Sequence, residues 1–144
     1  MASEDPSVFR PGLGRIFRTG LAAAVAAAAV VVVVALVEVR LLRIEAAFQP
    51  LTPPAALFVT VLYTLIGTGV LAVVCRVAAD PRRTFIRVAL IGLALSFLPQ
   101  IGLLVSGIEV PLGEFTVKNV LALSALHVVA AAVALPILLR VFRP

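Results

Sequence analysis

The chain has 144 residues, 62% of them hydrophobic and 13% charged, with a formal net charge of +5 at pH 7. Soluble domains are about half apolar and a quarter charged, so this balance excludes a soluble fold. The basic excess does not point to nucleic acid, because the arginines flank apolar runs, where topology and anionic lipid account for them.

Residues 1–13 read as a polar, flexible cytoplasmic tail. The rest, 14–144, reads as one membrane domain with four apolar runs at about 16–37, 54–75, 86–106 and 117–139. Each run is about the 20 residues a helix needs to cross a bilayer. The fold expected is an all-α, integral membrane four-helix bundle.

The first run is nearly pure alanine and valine. In lipid the backbone must satisfy its own hydrogen bonds, so even valine goes helical. It exceeds a signal peptide's apolar core of about 7–15 residues, and Val37-Glu38-Val39-Arg40 after it is no cleavage site. An uncleaved span follows. Glu38, Leu42 and Glu45 share one side at helical spacing, with Arg40, Arg43 and Ala47 opposite, which predicts helix continuing to about Phe48.

Pro50, Pro53 and Pro54 end that projection, with Thr52 placed to cap the second helix. Thr60, Thr64 and Thr68 repeat every four residues along it, a packing device. Cys75 near its end is the one cysteine, so no internal disulfide forms. Asp80-Pro81 starts the third span, in which Pro99 predicts a kink by removing a backbone donor. Pro111 and Gly113 mark a short loop before the fourth span.

Arginines alternate across these segments. Arg10, Arg15, Arg18, Arg76, Arg82, Arg83, Arg87, Arg140 and Arg143 fall on one side; Arg40, Arg43 and Lys118 fall on the other. The positive-inside rule therefore makes both termini cytoplasmic, in a multi-pass protein of the cytoplasmic membrane. Glu38, Glu45, Glu109 and Glu114 gather on the opposite face.

Polar residues inside spans are costly and so informative. Tyr63, Thr64, Gln100 and His127 come to comparable depth when counted at 1.5 Å per residue, and Ser124 is a further polar residue of the fourth span. They predict either a pocket, with Glu38 near its mouth, or interhelical hydrogen bonds that fix register. One histidine and one cysteine build no zinc site, and a bis-histidine haem needs a second chain. No phosphate loop, dinucleotide fingerprint or nucleophile elbow is present. The chain thus reads as non-enzymatic, with no cofactor and no metal.

Asp80-Pro81-Arg82-Arg83-Thr84-Phe85, Leu98-Pro99-Gln100 and Leu126-His127-Val128-Val129-Ala130-Ala131, with Pro136 beyond, carry a resemblance. The chain resembles a family of small bacterial, mainly actinobacterial, four-span membrane proteins of unknown function. That resemblance implies the fold and a role for Pro99 and His127, and no activity. The leading expectation is a self-associating scaffold or accessory subunit, whose partners are the lipid bilayer and either further copies of itself or another membrane protein. The alternatives are a binder or transporter of a small solute or lipophilic ligand around Gln100 and His127, and a membrane haem or redox protein using His127.

Overall fold

A computed structural model describes residues 10–45, 47–108 and 110–143. The chain is all-helical, with no strand among the described residues. Five α-helices make four apolar crossings: α1 (Leu13–Leu41), α2 (Pro53–Val77), α3 (Pro81–Ser96) with α4 (Leu98–Ser106), and α5 (Val117–Leu138). Short 3-10 turns at Gln49–Leu51 and Leu139–Phe142 precede α2 and follow α5. Four helical segments are long and apolar enough to cross a membrane, so this is a multi-pass membrane protein.

The first helix is the hub, packing along both α2 and α5. Its sequence explains why. Gly20, Ala23, Ala24, Ala27, Ala28 and Ala35 are buried, and side chains this small let neighbouring backbones come close. The covering stripe of α2 is Ala56, Thr60, Thr64, Thr68, Leu71, Ala72 and Cys75, a repeat of three and four residues. The Thr64 hydroxyl donates to the Thr60 carbonyl at 2.7 Å, and Thr68 donates to Thr64 at 2.8 Å. With their polar atoms satisfied inside α2, these threonines act as small branched packing groups.

Two apolar clusters hold the bundle. Towards the arginine-rich end, Ile16, Ala23 and Ala27 meet Leu71, Cys75, Phe85, Leu138 and Val141. Towards the opposite end, Val31 and Ala35 meet Ile44, Phe48, Leu51, Ala56, Ala122 and Leu126. Each cluster pairs the early half of α1 with late α2 and α5, or the reverse, as antiparallel neighbours require.

Helix ends correct the sequence expectations in two places. The first helix stops at Leu41 rather than running on to Phe48. Arg43 adopts the left-handed conformation (φ 49°), and the Ile44 amide donates back to the Val39 carbonyl at 3.1 Å. This is a Schellman stop, with arginine where glycine is usual. Ile44 is buried in a cluster that Val39 also packs against, and that apolar contact drives the reversal.

The third span, Pro81–Ser106, is interrupted at Phe97, between α3 and α4. The Pro99 ring removes the amide that would bond the Leu95 carbonyl, and the chain re-forms its ladder as a new first turn from Leu98. Thr52 does sit at the N-cap of α2, but its hydroxyl donates backwards to the Gln49 carbonyl at 2.8 Å. Pro54 removes the second-position amide, and the hydroxyl does not take the Ala55 amide at the third.

Asp80 caps α3 as its sequence suggests, accepting from the Arg83 amide at 3.1 Å and lying 3.4 Å from the Arg83 side chain. Residues 1–9 of the expected tail lie outside the described residues. Arg10 is docked, donating to the Arg76 carbonyl at 2.8 Å.

Candidate functional site

Gln100 enters the first turn of α4 because Pro99 fixes where that helix begins. The side chain is 3% exposed. Its Nε2 donates to the Ser124 hydroxyl at 2.8 Å, and that hydroxyl donates on to the Val120 carbonyl at 2.7 Å. Gln100 Oε1 is buried and accepts nothing.

His127 lies three residues after Ser124, on nearly the same face of α5. Its Nδ1 is 2.7 Å from the Leu123 carbonyl. A carbonyl can only accept, so Nδ1 carries a proton and, in the neutral ring, Nε2 keeps the lone pair. The imidazole is half-buried and tilted against Phe97, at the break between α3 and α4, with ring centroids 6.0 Å apart.

The break in the third span and the middle of α5 thus bring Gln100, Ser124, His127 and Phe97 together. Tyr63 and Thr64 are not joined to them. Tyr63 points away from the bundle at 65% exposure, while Thr64 is buried in the seam with α1. Glu38, near the end of α1, has a buried carboxylate oxygen with no partner and no hydrogen bond to Gln100 or His127. Neither cavity described below is lined by Gln100 or His127.

Those cavities occupy the two ends of the bundle. One, of about 220 Å³, is lined by Glu45, Phe48, Glu114, Thr116, Lys118 and Asn119. Sequence reasoning passed over Asn119. Thr116 caps α5 by accepting its amide at 3.3 Å, and Asn119 Nδ2 donates to the Glu114 carbonyl at 2.8 Å. Asn119 Oδ1 is buried without a partner. The clue was available: a threonine three residues ahead of an amide side chain at the start of an apolar run. Glu109 lies outside the described residues.

The two connections at this end are pinned to each other. The Gln49 amide donates to the Leu112 carbonyl at 2.9 Å, and its side chain donates to Pro111 at 3.2 Å. Phe48 and Phe115 meet edge to face at 5.2 Å. Lys118 reaches the Arg43 carbonyl at 3.3 Å, beside the reversal that ends α1.

The other cavity, of about 360 Å³, is at the arginine-rich end, between the start of α3 and the end of α5. Arg82, Leu135, Pro136, Leu139, Phe142 and Arg143 line it. Arginines also close the helix termini nearby. Arg15 donates to the Arg140 carbonyl at 3.4 Å and to the Arg143 carbonyl, placing a cation at the negative end of the last helical segment.

No group of three or more histidine, cysteine or acidic side chains is placed to hold a metal ion, among the described residues.

Residues 10–144, from the docked Arg10 through all four crossings, match the Family of unknown function (DUF6069). The chain belongs to that family. The match takes in the Asp80-Pro81 entry, the Pro99-Gln100 break and the His127 segment, so the polar layer and both cavities lie within the family's span. No curated protein and no solved structure matches the chain.

Proposed function

We propose that this member of the family is a non-enzymatic protein of the cytoplasmic membrane that works by association: a self-associating scaffold or accessory subunit with both termini in the cytoplasm. The third span carries this reading. In it only Pro81, Phe85 and Gln100 are fully buried, and most of the rest of α3 and α4 is exposed. Its exposed surface includes Gly92 and Gly102, and a Cβ at either would meet nothing within 4 Å. Ser96 and Ser106 follow these glycines at four-residue spacing and donate within their own helices, to Leu93 and Leu103. Small groups so spaced, with their polar atoms satisfied, suit close approach by another helix in lipid.

The polar layer supports the same reading. Gln100 and Ser124 tie α4 to α5, and the histidine is occupied by its own helix, so the layer serves as register-fixing glue. Charge asymmetry supports the orientation: the end bearing Arg76, Arg82, Arg83, Arg140 and Arg143 is the cytoplasmic one.

The test is the mass of the full chain in nanodiscs, with Gly92→Leu and Gly102→Leu beside it. A parent that assembles, and variants that fall to the monomer with their helicity intact, are expected. A parent that is monomeric at every protein-to-lipid ratio, and captures no membrane protein, would sink the proposal.

A further inference from the structure

The cavity at the arginine-rich end has the make-up of an amphiphile site. Its wall is apolar: Leu135, Leu139 and Phe142 are half-buried around Pro136, on the last two turns of the chain's final crossing. Its rim is cationic, with Arg82 and Arg143 entering from two different elements. Neither guanidinium has a hydrogen-bond or ion-pair partner among the described residues, because Asp80 is taken by Arg83. Arg143 is engaged only through its backbone.

Arg82 also occupies the second position of α3, near the positive end of that helix's dipole, where Asp80 already takes the Arg83 amide. Two unpaired guanidiniums over an apolar wall, at the level where a crossing leaves the hydrocarbon, complement a ligand with an anionic head and a hydrocarbon tail. Arginine is suited to the head because its planar fork engages phosphate oxygens in pairs. The wall is suited to the tail and useless to a free anion.

We propose that this cavity is a specific site for an anionic phospholipid, with the phosphate held between Arg82 and Arg143 and the start of an acyl chain lying on Leu135, Leu139 and Phe142. The site is separate from the exposed glycines of the third span, so it stands or falls independently of self-association. Bound lipid would add a second tie between the start of α3 and the end of α5, beside the buried cluster of Phe85, Leu138 and Val141.

The chain has no tryptophan, so Phe142→Trp creates a sole tryptophan in the wall, which can be excited selectively over Tyr63. The full chain carrying it is placed in vesicles containing either brominated phosphatidylglycerol or brominated phosphatidylcholine. Stronger quenching by the anionic lipid is expected. The preference should fall about fivefold for each of Arg82→Gln and Arg143→Gln, at about 1 kcal/mol per basic residue near the surface. Arg18→Gln and Arg87→Gln, matched in charge and not lining the cavity, should leave it unchanged.

Equal quenching by the two lipids would overturn the proposal, as would a preference that survives loss of both rim arginines. Inorganic phosphate that reverses the quenching at millimolar concentration would overturn the lipid and assign the rim to a free anion. Native mass spectrometry of the unsubstituted chain released from mixed nanodiscs gives a reading that needs no variant. Retained phosphatidylglycerol in excess over phosphatidylcholine is expected, and equal retention would again overturn the assignment.

Discussion

The seam between α1 and α2 and the surface of α3 and α4 use the same residues for opposite ends. Both are rich in glycine, alanine and hydroxyl side chains at four-residue spacing. In the seam, Gly20 lies against Thr68 so closely that a Cβ would collide with the threonine's hydroxyl and methyl and lie 2.9 Å from its Cβ. On the third span, the space beside Gly92 and Gly102 is open. In lipid there is little hydrophobic drive between helices, so small side chains count only where another backbone takes up the space they leave. The chain uses one such surface within its own fold, while the other faces open space.

The largest effect should come from closing the seam's space. Gly20→Leu must push α1 off α2, because Thr68 is β-branched, stiff and set within a helix. We expect a loss of about 3 kcal/mol, at the upper end for overpacking, read as a lower SDS midpoint in mixed-micelle unfolding. Thr68→Ala in the same chain should recover part of it. An unchanged midpoint would mean the seam is far looser than the structure has it.

Gly113→Ala should come next, at about 2 kcal/mol by the combined cost of overpacking and a strained backbone. Gly113 has φ 102°, and a Cβ there would lie 2.7 Å from the Ala47 carbonyl oxygen and 2.9 Å from Phe48 Cα. The predicted damage is local, so hydrogen exchange should rise around Gln49 and Leu112 before it rises in the spans. Arg43→Gly acts in the other direction. Relieving a left-handed arginine should stabilise the chain by about 1 kcal/mol, without touching the carbonyl that Lys118 uses.

Four apolar crossings were legible in the sequence because hydrocarbon imposes a length and forbids charge, and both show in a single chain. Both cap positions, Thr52 and Asp80, were legible for the same local reason: proline follows each. The stop at Arg43 was not, because the alternation of Glu38 and Glu45 against Arg40 and Arg43 is equally compatible with helix. Burial of Ile44 decides it, and that is a tertiary fact. Gln100 and His127 were legible as polar residues at matching depth on separate spans, while the hydrogen bond of Gln100 goes to Ser124, one turn earlier on α5. Tyr63 sits at that depth too, but depth says nothing of the direction in which a side chain leaves its helix. The arginine pair at the far cavity was hidden for a similar reason: Arg82 and Arg143 are 61 positions apart, and only the antiparallel return of α5 brings them together.

The smallest effects in stability should come from the third span, and they sharpen the comparison most. Ser124→Ala removes the acceptor for Gln100 Nε2 and leaves a buried amide with neither end paired, at a cost of about 1 kcal/mol. Gln100→Leu removes the orphaned Oε1 with the rest of the amide, so it should be neutral or slightly stabilising, because a buried acceptor without a partner is itself a cost. A Gln100→Leu chain clearly less stable than Ser124→Ala would show that Oε1 has found a partner in the membrane. Gly92→Leu should leave the monomer's midpoint unchanged or raised by about 1 kcal/mol, since leucine is the better helix former and its Cβ would meet nothing within 4 Å. The substitution that wrecks the seam at Gly20 would then be harmless to the fold at Gly92 and costly only to assembly. That split between stability and mass is the signature of a surface kept open for another helix, and a chain in which both glycines behaved alike would have no such surface.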